Sequence, residues 1–259
     1  MSGDRLIASA SLIVQLVDDF SGRLITDGSV RVSIAGQKPP LRKKDGFFVF
    51  MNLPNGLAVT VNAEGGVYEP ECTAAVAGRN ADGAVHTLRM RMTPGRAYPV
   101  PADATRIEGT AEAGCAVRIT CRKAAHAMKL LYDYAPEQER AISIFHSPAE
   151  DLIGRLLLID DGKNSEYFQV SVQGEEAGDY RLVAPLSRAY KKIGTSIYPV
   201  YSANADGAGR FYIPIAGLRE KEYLFSCTAL GSRQVDLEAV LKTGMSHRLD
   251  LTGGSGGTT

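Results

Sequence analysis

Residues 27–34 read Asp27-Gly28-Ser29-Val30-Arg31-Val32-Ser33-Ile34, a glycine turn followed by a run in which apolar and polar residues alternate. Successive side chains of a β-strand point to opposite faces, so this period of two places Val30, Val32 and Ile34 on one face. Residues 44–54 continue with KDGFFVFMNLP, in which Asp45-Gly46 favours a hairpin because glycine tolerates the positive φ of the turn. The stretch therefore predicts strands that pack into a β-sandwich core.

The second half of the chain repeats this pattern. Residues 113–121 read AGCAVRITC, so each half has a glycine turn that leads into a strand of the form Val-Arg-aliphatic, preceded by Gly22 or Gly109. Residues 205–218 read ADGAGRFYIPIAGL and correspond to the Asp-Gly hairpin of the first half. Such an internal repeat predicts two similar domains, joined at the proline-rich residues 94–101.

These motifs are similar to those of the carboxypeptidase regulatory-like, or transthyretin-like, family of β-sandwich domains. The family combines a glycine, a G-x-V-x-I strand and a D-G-x-F-x-F-x-x-L hairpin. The resemblance covers about residues 6–92 in the first copy, and residues 106–121 and 201–251 in the second. It implies an all-β chain with two Ig-like sandwiches and carries almost no functional information, because sites rather than folds determine function. The expected domains are 1–97, a discontinuous second sandwich at 98–122 plus 201–252, and a flexible tail at 253–259.

Residues 123–200 interrupt the second copy and predict an inserted β-module at a loop, where insertions are best tolerated. The module is expected to begin with a short helix at 122–134, whose apolar residues lie at three- and four-residue spacing. Residues 151–172 read as strand, Asp-Gly turn and strand, and this segment is similar to small β-modules of phage-tail and tail-like particle proteins. A second short helical turn is predicted at 235–242.

The four cysteines, Cys72, Cys115, Cys121 and Cys227, form no C-x-x-C pair, so a zinc site is a weak interpretation. A cytoplasmic chain would keep them reduced, as small buried apolar residues. One alternative stays open, since Cys121 and Cys227 could face each other across neighbouring strands.

Charge and hydropathy limit the possible partners. The 29 basic and 29 acidic side chains cancel, so nothing attracts the chain over long range to nucleic acid or to an anionic membrane. No segment is long and apolar enough to span a bilayer, and residues 1–5 lack the layout of a signal peptide. We therefore expect no nucleic-acid partner, no membrane insertion, and cytoplasmic synthesis, with a virion or phage-like particle as one destination.

No catalytic, cofactor-binding or metal site is recognisable in the sequence, and no cofactor is expected. The histidines His86, His126, His146 and His247 have neither helix-face nor H-x-H spacing, which favours structural or surface roles. Residues 160–166, DDGKNSE, lack the alternating ligands of a calcium loop, so a tight turn is the better interpretation. The basic clusters at 42–44, 122–123 and 191–192 are too short to predict nucleic-acid binding.

Three functions follow from these features. The first is a non-catalytic structural or adaptor protein of a phage tail or phage-like contractile injection particle, which binds other protein subunits. The second is a carbohydrate- or cell-surface-binding module, with a glycan as its partner. The third is an enzyme whose site lies at the insertion and uses His146, Asp160 or Glu166.

Overall fold

The computed structural model describes residues 9–80, 83–122, 127–137, 141–147, 151–174 and 176–253. Within these residues the chain forms β-strands and turns and contains no helix, so no membrane-spanning helix is found there. The chain divides into two compact units, Met1–Tyr98 and Pro99–Thr259. The predicted all-β sandwich fold is confirmed.

The first unit is a sandwich of a four-stranded and a three-stranded sheet. Its strands are β1 (Ala10–Asp18), β2 (Arg31–Ile34), β3 (Leu41–Arg42), β4 (Phe47–Met51), β5 (Ala58–Glu64), β6 (Glu71–Val76) and β7 (Thr87–Met92). One sheet has the order β3-β4-β1-β7, in which β1 and β7 are parallel, and the other has the order β2-β5-β6.

Alternating apolar residues form the core of this sandwich. Leu12, Val14 and Leu16 of β1 are buried against Val32 and other residues of the facing sheet. Each such side chain contributes about 1.5–3 kcal/mol when it is removed from water.

The second unit contains twelve described strands. They are β8 (Thr105–Thr110), β9 (Ala116–Cys121), β10 (Lys129–Leu130), β11 (Ala141–Phe145), β12 (Leu156–Asp160), β13 (Ser165–Gln173), β14 (Asp179–Leu182), β15 (Ser196–Asn204), β16 (Arg210–Ile215), β17 (Glu222–Leu230), β18 (Gln234–Lys242) and β19 (Ser246–Asp250). A three-stranded sheet has the order β16-β8-β19, and a nine-stranded sheet has the order β10-β11-β14-β13-β12-β15-β9-β17-β18.

Two parts of these sheets repeat the plan of the first unit. Strands β16-β8-β19 match β4-β1-β7. In both sheets the strand that comes first in the sequence pairs in parallel with the one that comes last, β8 with β19 and β1 with β7. Strands β9-β17-β18 match β2-β5-β6. A core that includes Ile107, Val117 and Phe225 lies between the two sheets. The repeat seen in the sequence is therefore a repeat of strand topology.

The other strands of the nine-stranded sheet close into a small barrel. Met128, beside β10, exchanges two backbone hydrogen bonds with Ile197 of β15, at 2.8 and 2.9 Å, so the first and last strands of the set β10-β11-β14-β13-β12-β15 meet. The barrel has its own core, which includes Leu130, Leu157 and Val170. Residues 196–199 of β15 pair with β12 in the barrel, and residues 200–204 pair with β9 in the sandwich. The predicted end of the insertion at residue 200 therefore falls inside one continuous strand.

Both helix predictions are wrong for the described residues. The proposed helix at 122–134 contains β10, and its buried residues Met128 and Leu130 follow the period of two of a strand. The described part of that segment is 122 and 127–134. The proposed turn at 235–242 is β18, in which every second side chain packs towards the core and each residue lies opposite a residue of β17.

None of the four cysteines forms a disulfide. Cys115, Cys121 and Cys227 are buried as expected, whereas Cys72 is exposed on β6, contrary to the expectation of burial. Cys121 lies opposite Phe225 and Cys227 lies opposite Ile119, so the two cysteines occupy diagonal positions of neighbouring strands and are not bonded. Burial raises the pKa of the Cys227 thiol to about 12, which keeps it protonated and unreactive.

Candidate functional site

A groove of about 500 Å³ lies on the barrel where β11 and β14 pair. Ala141 lies opposite Arg181, and Ser143 lies opposite Asp179, so alternate side chains of both strands face the groove. Tyr132 lines one side and is 67% exposed. The groove thus combines an exposed aromatic ring, a guanidinium group and a carboxylate, which is the chemistry of a polar ligand site.

Part of this polar lining is already used within the protein. Ser143 Oγ donates a hydrogen bond of 2.5 Å to Asp179 Oδ1. Asp133 accepts hydrogen bonds from Lys191 Nζ at 2.9 Å and from the backbone N–H of Lys192 at 2.7 Å. The side-chain bond from Lys191 and then the backbone bond from Lys192 lower the pKa of Asp133, so it is ionised at neutral pH.

His146 contacts Tyr180, which also lines this groove. The Nδ1 atom of His146 lies 2.8 Å from the carbonyl oxygen of Ser147, and this oxygen can only accept, so Nδ1 carries the hydrogen. The Tyr180 hydroxyl then donates to Nε2, at 2.6 Å. Burial and then the negative charge of Asp151 raise the pKa of Tyr180, which keeps the phenol protonated as a donor. This pair orients Tyr180.

The candidates Asp160 and Glu166 lie at the other end of the barrel. Asp160 accepts the backbone N–H of Gly162 at 2.7 Å and pairs with Arg122 at 3.0 Å. Tyr180 lies opposite Gln173, seven positions along β13 from Glu166, and seven positions span about 23 Å at 3.3 Å per residue. The structure therefore does not bring His146 together with Asp160 and Glu166.

Glu166 is occupied by structural hydrogen bonds. It accepts the backbone N–H and the hydroxyl of Ser187, both at 2.7 Å, and the hydroxyl of Tyr190 at 3.0 Å. Burial alone would raise the pKa of Glu166, but these hydrogen bonds lower it overall. The carboxylate thus holds the loop that contains Ser187.

The loop at 160–166 is a tight turn in which Asp161 accepts the backbone N–H groups of Lys163 and Asn164, at 2.8 and 2.6 Å. In the described part of the chain no group of three or more potential metal ligands is found.

The other histidines have structural contacts where they are described. His86 donates to the carbonyl of Val76 at 2.7 Å, and His247 donates to that of Lys242 at 2.6 Å. His126 lies outside the described residues.

A second groove, of about 710 Å³, lies beside the outer edge of β2 in the first unit. The buried residues Val30, Val32 and Phe48 form its apolar floor, and Arg42 and Glu64 stand at its rim. Sequence reasoning missed this groove. Its only signal was the pair Pro39-Pro40, which lines it and cannot donate backbone hydrogen bonds.

A third feature is the outer edge of β18 in the second unit. Leu224 and Val240 lie opposite each other on β17 and β18 and are 43% and 64% exposed. None of the other described strands pairs with the outer side of β18. Apolar side chains beside such an edge are typical of protein contacts.

Comparisons with known proteins give little guidance. No protein-family model matches the chain, and no curated protein matches it. A carbohydrate-binding module of family CBM26 from Eubacterium rectale, crystallised with maltoheptaose, is 13% identical over 96% of this chain and 95% of its own, with a TM-score of 0.21. The shaft pilin SpaA from Lactobacillus rhamnosus GG is 10% identical over 94% of this chain and 96% of its own, with a TM-score of 0.24. With TM-scores this low, function has to be argued from the chain itself.

Proposed function

We propose that the chain is a non-catalytic structural or adaptor subunit of a larger protein assembly. The edge of β18 carries this proposal. Thr243 N donates to the carbonyl of Lys221, at 2.9 Å, and the direction of backbone groups alternates along a strand. The residues of β18 whose backbone groups face away from β17 are therefore Gln234, Asp236, Glu238, Val240 and Lys242.

These outward groups and the exposed pair Leu224–Val240 lie at the same edge. A partner that binds there could therefore form backbone hydrogen bonds and apolar contacts at once. His247 already binds one of the outward carbonyls, that of Lys242, which limits pairing at this end of the strand. A partner subunit that covers the edge would bury apolar surface that monomeric proteins usually keep small.

The specific assembly we propose is a phage tail or phage-like contractile injection particle. The support is the tandem transthyretin-like sandwich pattern together with the inserted β-module, whose sequence is similar to modules of such particles. The assembly role rests on the edge of β18, and this setting rests on that resemblance.

Purification from the native source, followed by size separation and electron microscopy, tests the proposal. We expect the chain to elute within a large particle, and a chain that elutes as a free small protein would contradict the proposal. Val240→Lys should release the chain from the particle, because the lysine would have to be buried at the contact. Ile193→Lys is the matched control, because Ile193 is 91% exposed in a turn of the barrel, away from this edge.

A second candidate function is glycan binding in the groove between β11 and β14. The exposed ring of Tyr132 favours it, because an aromatic face stacks on a sugar while Asp179 and Arg181 can bind hydroxyl groups. A glycan array should show binding that is lost in Tyr132→Ala and kept in Phe145→Ala. Phe145 is 65% exposed and does not line the groove, so it controls for a general loss of aromatic surface. An array without binding would reject this candidate.

A further inference from the structure

The two sandwiches differ in what covers one equivalent sheet edge. In the second unit β9 lies between β17 and β15, so both of its edges are paired. In the first unit the equivalent strand β2 pairs with β5 on one side, and none of the other described strands pairs with its outer side. The groove of about 710 Å³ lies at this uncovered side.

The backbone of β9 shows how the covered edge works. Ala205 N donates to the carbonyl of Cys115 at 2.9 Å, so Cys115 directs its backbone groups towards β15. Because this direction alternates along a strand, Val117 and Ile119 also face β15, and Arg118 faces β17. On β15, Ala203 lies opposite Val117 and Tyr201 lies opposite Ile119.

The backbone of β2 has the same orientation. Its Val30-Arg31-Val32 matches Val117-Arg118-Ile119, so Val30 and Val32 correspond to the residues that face β15. Gln37 N donates to the carbonyl of Ile34 at 3.1 Å, which shows that this carbonyl turns away from β5, and Val32 shares its direction. Val30 and Val32 both line the groove, and their outward backbone groups lie on the side of β2 that no other described strand covers.

The chain's own connector leaves this edge open. In the second unit the segment after β9 returns as β15 and pairs with β9. In the first unit the shorter segment after β2 contains Pro39 and Pro40, which have no backbone N–H, and then pairs as β3 with β4 in the opposite sheet.

We propose that an extended segment of a partner protein adds to β2 as an antiparallel strand, in the way that β15 adds to β9. This inference rests on the proposed adaptor function and names its contact. The segment carries apolar or small side chains at alternate positions, as Tyr201 and Ala203 do, and has free backbone N–H groups there. Its backbone hydrogen bonds supply the affinity, and the apolar floor of the groove selects the side chains.

The test uses the full chain and a synthetic peptide with the sequence of residues 199–206, PVYSANAD, read out by residue-resolved amide hydrogen exchange. Without peptide, Val30 and Val32 should exchange faster than Arg31 and Ser33, whose backbone groups face β5. Val117 and Ile119 should be protected, as an internal reference. Saturating peptide should slow exchange at Val30 and Val32 by about tenfold or more.

Two methylated peptides provide the matched control. N-methylation at the alanine that corresponds to Ala203 removes a backbone N–H that would face β2, and it should abolish the protection of Val30 and Val32. N-methylation at the neighbouring position, Ser202, removes an N–H that faces away and should preserve it.

Three results would overturn the inference: no added protection at Val30 and Val32, protection that is confined to other residues, or equal binding of both methylated peptides. Protection that rises with the concentration of the chain alone would show that a second copy, rather than another protein, occupies the edge. These outcomes are separate from the proposed function, because a chain that elutes in a large particle but fails this test assembles through another surface.

Discussion

Tyr98 donates a hydrogen bond of 2.5 Å to Asp18 Oδ2 and so ties the last residue of the first unit to the end of β1. Tyr68 donates to the same oxygen at 3.2 Å, and Oδ1 accepts the backbone N–H groups of Phe20 and Ser21. Asp18 is buried, and a buried carboxylate is costly unless it is hydrogen-bonded. Burial and then the bond to Asp18 raise the pKa of Tyr98, which keeps the phenol protonated.

Tyr98→Phe should therefore destabilise the first sandwich. It removes one donor from a charged acceptor, and such bonds contribute about 1.5–3 kcal/mol to the free energy of unfolding. Urea unfolding of the first unit measures the loss. Tyr132→Phe, on the exposed rim of the barrel groove, is the control and should change the stability of this unit by less than about 0.5 kcal/mol. Equal effects of the two substitutions would show that the bond to Asp18 contributes nothing.

The repeat could be predicted because its signals are local. Alternation at residues 30–34 predicted β2, and Gly46, at a φ of 86°, forms the predicted hairpin turn. In the second copy the positive φ falls on Gly209 rather than on the Asp-Gly pair itself. The helix prediction at 122–134 failed because three- and four-residue spacing was weighed above the period of two, in a segment where Met128 pairs with Ile197, far along the chain.

The grooves could not be predicted from local pattern. One requires Ala141 to meet Arg181, forty residues later in the chain, through the pairing of β11 with β14. The other depends on an edge that stays open, since β3 pairs with β4 and not with β2. Both features depend on which distant strand pairs with which, and alternation within one strand carries no information on its partner.

Gly109 has a different role from Gly22, with which the sequence repeat aligned it. Gly22 lies in the turn after β1, at a φ of 70°, whereas Gly109 lies inside β8 between β16 and β19. A Cβ at position 109 would collide with the carbonyl oxygen of Leu249 and would lie 2.9 Å from the ring of Phe211. The glycine therefore lets three strands approach closely.

Gly109→Ala should destabilise the second sandwich by about 1–3 kcal/mol, the usual cost of overpacking, or more because backbone must move. Thermal or urea unfolding of the full chain measures the effect. Gly207→Ala is the matched control, because a Cβ there meets open space and its φ is not positive. A Gly109→Ala protein as stable as the control would show that the strands can separate at no cost.

Glu71 makes the first unit sensitive to pH. Burial raises the pKa of this carboxyl, although the Thr93 hydroxyl donates to it at 2.7 Å. The folded state therefore binds a proton more tightly than the unfolded chain does. The contribution of Glu71 is fully present below an unfolded pKa of about 4.3 and is lost as pH rises through the higher folded value.

Glu71→Gln should remove this loss, so that the variant gains stability over the parent between about pH 4 and pH 7. Urea unfolding at about pH 4 and at about pH 7 measures the change in the free energy of unfolding. Glu64→Gln, on the exposed partner of Arg31, should alter the pH dependence little, because surface ion pairs contribute about 0–1 kcal/mol. A Glu71→Gln protein that is less stable than the parent at neutral pH would contradict the sign of the shift.

Strand β15 belongs to two cores at once, and this determines where the insertion can be removed. Replacing residues 123–198 with a short glycine-containing turn keeps the segment that pairs with β9, so we expect a folded second sandwich with its own cooperative transition. Deleting residues 123–205 removes that segment as well and exposes the backbone of Val117 and Ile119. This second protein should be less stable and should associate in size-exclusion chromatography, because a bare edge next to an apolar core pairs with other chains.

If the shorter deletion unfolds the sandwich, the barrel and the sandwich form one domain. If both deletions leave it equally stable and monomeric, pairing at this edge contributes no stability, and we would then expect none from a strand added to the open edge of β2.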